Sequence, residues 1–438
     1  MLHALKKLVP SALKQPYHYL LARVAEFQYG HPANEMLVIG VTGTNGKSST
    51  VNFLAQLLQD VGEVVGYTST AGFTIAGREI ENRMKMTMPG RFVLQKLLRQ
   101  MKDAGCTVAI VETSSQGLAQ FRHLGINYDV ALFTNLTPEH IEAHGGFENY
   151  KKAKGLLFRH LTARPRKTLN GKKVPKISIL NADDEHSAYY ASFRADEHYY
   201  FGERALPGPG LQLEIVEARA DGARIKLNGE AAVIPFGAKY QWLNVLAAAA
   251  TLQALGYPVA RIAAAIEHLR PVPGRFEVIE AGQPFTVIVD YAYEPYALRA
   301  LLAAVKPLVT GRLIGLHGSA GGGRDVARRP VIGRLAGEGE DVVIVTNEDP
   351  YDEEPLVIME QVAAGALAAG KVAGESLFVI EDRRQAIHKA CELAQPGDVV
   401  LITGKGSEPV MAVAGGRSIT WDDRAEVRAA LRALGYTA

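Results

Sequence analysis

The sequence predicts an α/β protein: a central phosphate-binding domain on a mostly parallel sheet, then a Rossmann-like C-terminal domain. Three observations carry this. From Leu37 onward, apolar runs of strand length alternate with helical patterns, as in a parallel sheet covered by helices. One run, Val38-Ile39-Gly40-Val41-Thr42, breaks into Gly43-Thr44-Asn45-Gly46-Lys47-Ser48-Ser49 and opens a helical pattern. Finally, Pro271-Val272-Pro273-Gly274 interrupts the chain before a second alternating series begins. The expected domains are a short helical extension over 1–36, a central domain over 37–271 and a C-terminal domain over 272–438.

Composition bounds the rest. The 438 residues are 47% hydrophobic, enough for sizeable cores, and 43 glycines suit many tight strand-to-helix turns. The 48 basic and 46 acidic residues nearly cancel, so no nucleic-acid partner is indicated. Two cysteines, Cys106 and Cys391, lie in apolar segments and read as buried thiols in a reducing cytoplasm. No signal peptide is evident, and no apolar run reaches roughly 18 residues, so no transmembrane segment is expected.

In chain order, residues 1–36 come first. Leu2, Leu5, Leu8, Val9 and Leu13 recur at helical spacing beside Lys6, Lys7 and Lys14, and an aromatic-aliphatic segment follows from Tyr17 to Tyr29. A weak membrane or partner contact through residues 1–30 is one reading. Interruption by Pro10 and Pro16 and a small basic face favour the other, a pair of helices packed on the body of the protein. Next, Leu37–Val41 reads as a strand, with a helix through Val51–Gln59. Val108–Val111, Val130–Phe133 and Ile177–Leu180 read as strands ending in Glu112, Thr134-Asn135 and Asn181-Ala182-Asp183. The basic run Arg164–Lys176, with Pro165, Asn170-Gly171 and Pro175, reads as an exposed turn or hairpin of solvated charge. Beyond the linker, strands are expected at Val287–Asp290, Leu313–His317, Val342–Thr346, Leu377–Glu381 and Val399–Thr403.

The glycine turn has the layout of a phosphate-binding loop. Backbone N–H groups can approach phosphate oxygens, and the helix N-terminus adds positive potential. Lys47 can reach the terminal phosphates, and the Ser48 hydroxyl can ligate Mg²⁺. Val41 stands where the common G-x-x-x-x-G-K-[ST] pattern has its first glycine. Glu112, at a strand end before Thr113-Ser114-Ser115, can hold Mg²⁺ against phosphates. Singly, each such residue has a plainer reading: a strand-end Glu caps, a loop His is solvated, a helical Lys is surface charge.

Taken together, the motifs resemble the Mur ligase family, the ATP-dependent enzymes that add amino acids to the peptidoglycan precursor. Gly43-Thr44-Asn45-Gly46-Lys47-Ser48, Glu112, Pro138-Glu139-His140, Tyr150-Lys151-Lys152-Ala153-Lys154 and Gln241-Trp242-Leu243-Asn244 follow its order and spacing. The resemblance implies ATP and Mg²⁺. It gives Glu112 and His140 to the metal, makes Lys154 a carbamylated ligand of the second metal, and places Asn244 at the adenine. It also implies that Arg275 of Gly274-Arg275-Phe276-Glu277 approaches the phosphates, that Asp290 meets the ribose and that Tyr293, replacing a usual His, lies against the nucleotide.

Within the family the closest likeness is to the MurE type, which adds the third residue of the stem peptide. Ser114-Ser115-Gln116-Gly117-Leu118-Ala119-Gln120-Phe121-Arg122 carries it and gives Ser114, Gln120 and Arg122 to a muramoyl-dipeptide acceptor. In Met86-Thr87-Met88-Pro89, only Thr87 keeps a hydroxyl of the usual Thr-Thr-Pro. Gly318–Asp325 resembles a loop whose Arg, here Arg324, pairs with a carboxylate of the incoming amino acid. In Thr403-Gly404-Lys405-Gly406-Ser407-Glu408, which resembles the family's G-K-G-H-E, Glu408 would hold that amino acid's amine and Gly404 would line the same site. Diaminopimelate enzymes carry D-N-P-R where this chain has Glu348-Asp349-Pro350-Tyr351. Without that Arg and with added acid, a lysine- or ornithine-like side chain fits better.

Such enzymes have an N-terminal domain that holds the uridine nucleotide, and residues 1–36 show nothing like it. The resemblance covers 37–438. The expected reaction joins an amino acid to a UDP-MurNAc-L-Ala-D-Glu-type acceptor through an acyl phosphate, in a cytoplasmic monomer hinged at Pro271–Gly274. The alternatives are a folylpolyglutamate or poly-γ-glutamate ligase, and a MurE-like ligase acting on a lipid-linked or nucleotide-free muramoyl peptide. A lipid-II amidating relative would need a four-cysteine zinc ribbon, which two cysteines cannot build. A nucleotide-binding regulator would not need Glu112, His140, Lys154, Arg324 and Glu408 together.

Overall fold

The computed structural model describes residues 11–437 apart from 85, 139–143, 220, 324 and 325, with only the backbone of 11–15. His140 and Arg324 therefore lie outside the described residues, as do residues 1–10 with most of the N-terminal leucine pattern. The chain divides into two compact units. The first is Met1–Ala218, Ala223–Pro235 and Gln241–Leu269; the second is Arg219–Gly222, Phe236–Tyr240 and Arg270–Ala438.

The first unit is built on an 11-stranded sheet. At its centre lies Leu37–Thr42, parallel to Val108–Glu112 on one side and to Val130–Phe133 on the other. Ile177–Asn181 and Glu197–Gly202 continue the parallel set. The apolar runs identified in the sequence are these strands except Glu197–Gly202, which was not expected, and both faces of the central ones are buried, as parallel sheets require. The antiparallel strands Phe73–Ile75 and Arg78–Ile80 extend one edge, and Glu230–Ile234 closes the other. The expectation omits these short edge strands, because polar residues and turns break their pattern.

In the described part of the N-terminal segment, the helix Ser11–Gln28 runs through Pro16. The expected interruption at Pro16 is thus corrected. Proline removes one intrahelical bond near the helix start, while Ala22, Ala25 and Glu26 are buried against the protein body. The helix packs on Arg91–Asp103. Tyr19, Leu20, Val24 and Phe27 remain exposed.

The basic run is a second correction. Thr168–Leu169 and Lys172–Lys173 do form a hairpin. But Lys167 and Lys176 are buried, their Nζ atoms 2.5 and 3.1 Å from the Asp129 carboxylate. Asp129 also accepts the Val38 N–H at 2.9 Å, so the three residues fix the entry to the central strand. Cys106 and Cys391 are free and buried.

The second unit carries a six-stranded sheet in the order Glu277–Val278, Thr286–Val289, Val399–Ile402, Leu313–His317, Val342–Thr346 and Leu377–Ile380. All neighbours are parallel except the first pair. Loops at the C-terminal strand ends therefore collect on one edge, where α/β sheets bind ligands. A hairpin, Val410–Val413 with Arg417–Thr420, was not foreseen. No helix among the described residues is long and apolar enough to cross a membrane.

Candidate active site

In the first unit, the strand Leu37–Thr42 delivers the chain into Gly43–Gly46, and the helix Lys47–Asp60 begins directly after. Gly46 has φ +79°, and a Cβ there would come 2.1 Å from Asn244 Oδ1. A Cβ on Gly43 would come 1.8 Å from Thr134 Oγ1. Glycine is thus required twice, and Asn244 is placed against the loop. The loop is fastened from the next strand end: Asn45 N donates to Asn135 Oδ1 at 2.9 Å, and Thr134 Oγ1 donates to the Asn45 carbonyl at 2.7 Å. Thr44 is held by Thr137 N at 2.9 Å and by the Tyr150 hydroxyl at 3.2 Å.

Around this loop the charged groups converge. Ser48 Oγ donates to Glu112 Oε2 at 2.9 Å. Thr70 adds its N–H at 2.7 Å and its hydroxyl at 3.1 Å to the same carboxylate. Lys47 Nζ folds back on the Thr44 carbonyl at 2.7 Å, half-buried. Buried Lys154 donates to the Gly43 carbonyl at 2.5 Å and lies over the Tyr150 ring, 4.3 Å from its centroid. Ser48, Ser49 and Glu112 are buried. Hydroxyl and carboxylate oxygens at a helix N-terminus are the donors a hard cation takes alongside nucleotide phosphates, so Mg²⁺ fits here. Among the described residues no group of three or more His, Cys, Asp and Glu assembles.

The acceptor residues sit nearby. Thr87 Oγ1 is 2.9 Å from Thr70 Oγ1, which links it to Glu112. Ser114 caps Ser115–Ala119 by accepting Gly117 N. Gln120 and Arg122 bond to each other, Nη2 to Oε1, at 2.7 Å. Two contributors were missed: Thr70, which no motif marks, and Tyr150, whose spacing to Lys154 was the available signal.

In the second unit, Arg275 lies 4.0 Å over the Tyr291 ring, and Tyr293 meets Tyr291 edge-on with Arg328 5.4 Å above it. Asp290 is buried. It accepts Phe276 N at 2.7 Å, Ala292 N at 2.7 Å and the Tyr240 hydroxyl at 3.2 Å. Burial raises its pKa. These contacts order the turn that presents Arg275.

Lys405, fully buried, is 3.1 Å from both Asp349 oxygens and 2.5 Å from Glu408 Oε2. Glu408 Oε1 accepts the Tyr291 hydroxyl at 2.7 Å. Glu348 differs. It is 4% exposed, its Oε2 has no hydrogen-bond partner, and a Cβ on Gly404 would stand 2.5 Å from that atom. Burial, then Asp349, pushes its pKa up to about 7. Pro350 is buried, and Tyr351 (φ +53°) lines a cleft of about 320 Å³ with Gly322, Gly323, Asp352 and Glu353.

A phosphate loop with an oxygen-rich cation position, on an α/β unit followed by a Rossmann-like one, defines a nucleotide-dependent enzyme. The chain belongs to the Mur ligase family: residues 41–252 match the Mur ligase middle domain and 274–406 the Mur ligase, glutamate ligase domain. A UDP-N-acetylmuramyl-tripeptide synthetase of Roseiflexus sp. is 40% identical over 95% of this chain and 82% of that protein. A UDP-N-acetylmuramoyl-L-alanyl-D-glutamate–2,6-diaminopimelate ligase of Geobacillus kaustophilus is 38% identical over 98% and 85%. A solved structure of a ligase of that same name matches with TM-score 0.62 at 27% identity, over 98% of this chain and 84% of that one. A Mycobacterium tuberculosis folylpolyglutamate synthase matches with TM-score 0.66 at 18% identity, over 88% and 92%, a likeness of fold alone. The protein is an ATP-dependent amide ligase of the peptidoglycan-precursor type.

Proposed function

We propose that the enzyme adds the third amino acid to a UDP-MurNAc-L-Ala-D-Glu-type acceptor, with lysine or ornithine favoured over diaminopimelate. The observation that carries the ligase chemistry is the Ser48–Glu112 contact at the start of the Lys47 helix. It sets a carboxylate and a hydroxyl where a nucleotide's terminal phosphates would lie. Gly43–Ser49 and Asn244 bind ATP, with Arg275, Asp290 and Tyr293 contributing from the second unit. Mg²⁺, held by Ser48, Glu112, His140 and Lys154 as its carbamate, would neutralise phosphate charge. Thr87, Ser114, Gln120 and Arg122 orient the acceptor. Its carboxylate attacks the γ-phosphorus and ADP leaves; Lys47 stabilises the transferring phosphoryl group. The incoming amine then attacks the acyl carbon, and phosphate departs with one former carboxylate oxygen.

For the amino acid, Glu348, with an oxygen that has no donor beside Gly404, supports a cationic side chain. Arg324, Asp349, Pro350, Tyr351, Gly404 and Glu408 complete that site in the proposal. Asp349 and Glu408 already share Lys405, so Glu348 is the acid with unmet demand for a donor. Diaminopimelate is named for several relatives; Tyr351, standing where the D-N-P-R pattern has its arginine, supports a different side chain here. Dependence on ATP places the reaction in the cytoplasm, and a monomer suffices for it.

The test is ATP-dependent phosphate release with UDP-MurNAc-L-Ala-D-Glu and lysine, ornithine or diaminopimelate in turn, with product masses. A lysyl or ornithyl tripeptide is expected. A product with diaminopimelate alone would overturn the specificity, and no muramoyl tripeptide with any of the three would overturn the acceptor.

A further inference from the structure

Two guanidinium groups lie together in the first unit, and among the described residues no acid pairs with either. Arg91 opens the helix Arg91–Asp103, whose N-cap Gly90 provides no side-chain cap. Its Nη2 donates to the Gln120 carbonyl at 2.8 Å and to His18 Nδ1, on the helix Ser11–Gln28, at 3.0 Å. Arg122 donates Nη2 to Gln120 Oε1 at 2.7 Å and Nη1 to the Met88 carbonyl, one peptide from Thr87; its Met86 Sδ contact is 3.6 Å. Gln120 thus anchors both arginines, one through its backbone and one through its amide. Phe121 between Gln120 and Arg122 sits at φ +57°, a conformation an aromatic residue adopts at a cost.

Three other arginines with buried or half-buried side chains take acids. Arg164 pairs with Glu26, Arg383 with Asp423 and Arg329 with Glu353. Among the described residues, no carboxylate pairs with Arg91 or Arg122, and Arg91 Nε is buried without an acceptor. Burial lowers both their pKa values, and Arg91 further lowers that of Arg122. Two desolvated like charges, one of them bonded to the carbonyl of the residue after Thr87, would merely cost stability unless an anion completes them.

We infer that Arg91 is a further acceptor-binding residue, forming with Arg122 a twin-guanidinium seat for an anionic group of the acceptor, and that His18 aims it. The inference rests on the muramoyl-dipeptide reading above. It gives the first helix a part in substrate binding. His18 accepts from Arg91 and is a positioning residue; Arg91 itself touches the acceptor. The anion is a carboxylate of the stem peptide or a phosphate of the nucleotide, both matched by guanidinium forks.

The experiment uses the full chain with Arg91→Ala, Arg91→Lys, His18→Asn and, as a control, Lys96→Ala, an exposed position on the same helix. Steady-state constants are measured with UDP-MurNAc-L-Ala-D-Glu and with MurNAc-L-Ala-D-Glu. Arg91→Ala is expected to raise the acceptor KM about tenfold or more, with kcat and the KM values for ATP and the amino acid within about twofold. Arg91→Lys and His18→Asn should give smaller rises, and Lys96→Ala none. An effect with both acceptors assigns the anion to the stem carboxylate; an effect only with the nucleotide acceptor assigns it to phosphate. An unchanged acceptor KM in a folded Arg91→Ala or Arg91→Lys protein overturns the inference while the ligase reading stands. Should wild type form no tripeptide, the ligase reading fails instead, and the same variants are compared by calorimetric Kd for the acceptor. Equal Kd values, or no binding by wild type, then overturn the inference as well.

Discussion

At the scale of single residues, function rests on charges set where burial leaves them few alternatives. Lys47 has one carbonyl partner at 2.7 Å and stands at the helix start, so Lys47→Ala should lower kcat by about a thousandfold with little change in melting temperature. Glu348 gives a pH signature. Its carboxyl holds a proton up to about pH 7, whereas the unfolded chain loses that proton near 4.5. The native state therefore binds more protons in that window, and this group's contribution to stability falls as pH rises through it. Glu348→Gln should melt higher, relative to wild type, at pH 8 than at pH 5. In the wild type, the KM for lysine should fall as pH rises from 6 to 8, because the anion is the form that receives an ammonium. A KM independent of pH, or rising, would remove Glu348 from the amino-acid site. Asp129 is a purely structural counterpart: Asp129→Ala would strand Lys167 and Lys176 in the interior, costing about 3–5 kcal/mol by denaturant unfolding.

Among the elements, the strand–loop–helix from Leu37 to Asp60 does most to position chemistry. Gly46→Ala would force a Cβ to 2.1 Å from Asn244 Oδ1 at a φ that disfavours alanine. The ATP KM should rise by about tenfold or more, and a variant with wild-type ATP KM would contradict the placement of Asn244 on this loop. Most of this scale was legible in the sequence. The strands at Val130–Phe133, Leu313–His317 and Val342–Thr346 begin and end where the apolar runs do, because strands buried on both faces cannot tolerate interruption. What was not legible depends on partners far along the chain. Lys167 and Lys176 read as solvated because the acid that buries them, Asp129, is 38 and 47 residues away. The helix from Ser11 passes Pro16 because packing outweighs one lost hydrogen bond. Thr70 follows an ordinary strand end, and only the fold brings it to Glu112. Arg91 is one of many arginines until its neighbours show that it lacks an acid.

For the whole molecule, the proposal gives the phosphate loop and the acceptor residues to the first unit, and the amino-acid residues with Arg275, Asp290 and Tyr293 to the second. Gly274 (φ +63°) would place a Cβ 2.2 Å from Ser407 N, so the end of the proline-rich segment is part of the second unit's own packing. A non-hydrolysable ATP analogue with Mg²⁺ at about a hundred times its Kd should stabilise the protein by about 2.7 kcal/mol, and Lys47→Ala should abolish most of that shift at the same concentration. A thermal-shift titration checks it.

In the proposed reaction the enzyme activates an acceptor carboxylate by phosphorylating it and then passes the acyl group to an amine. The most direct measurement is oxygen transfer from an acceptor labelled with ¹⁸O in its reacting carboxylate, read by mass spectrometry of the released phosphate and the peptide. The predicted result is one ¹⁸O in each phosphate and the other retained in the new amide. Phosphate carrying only unlabelled oxygen, with no peptide formed, would mean ATP is split by water and would contradict the ligase mechanism.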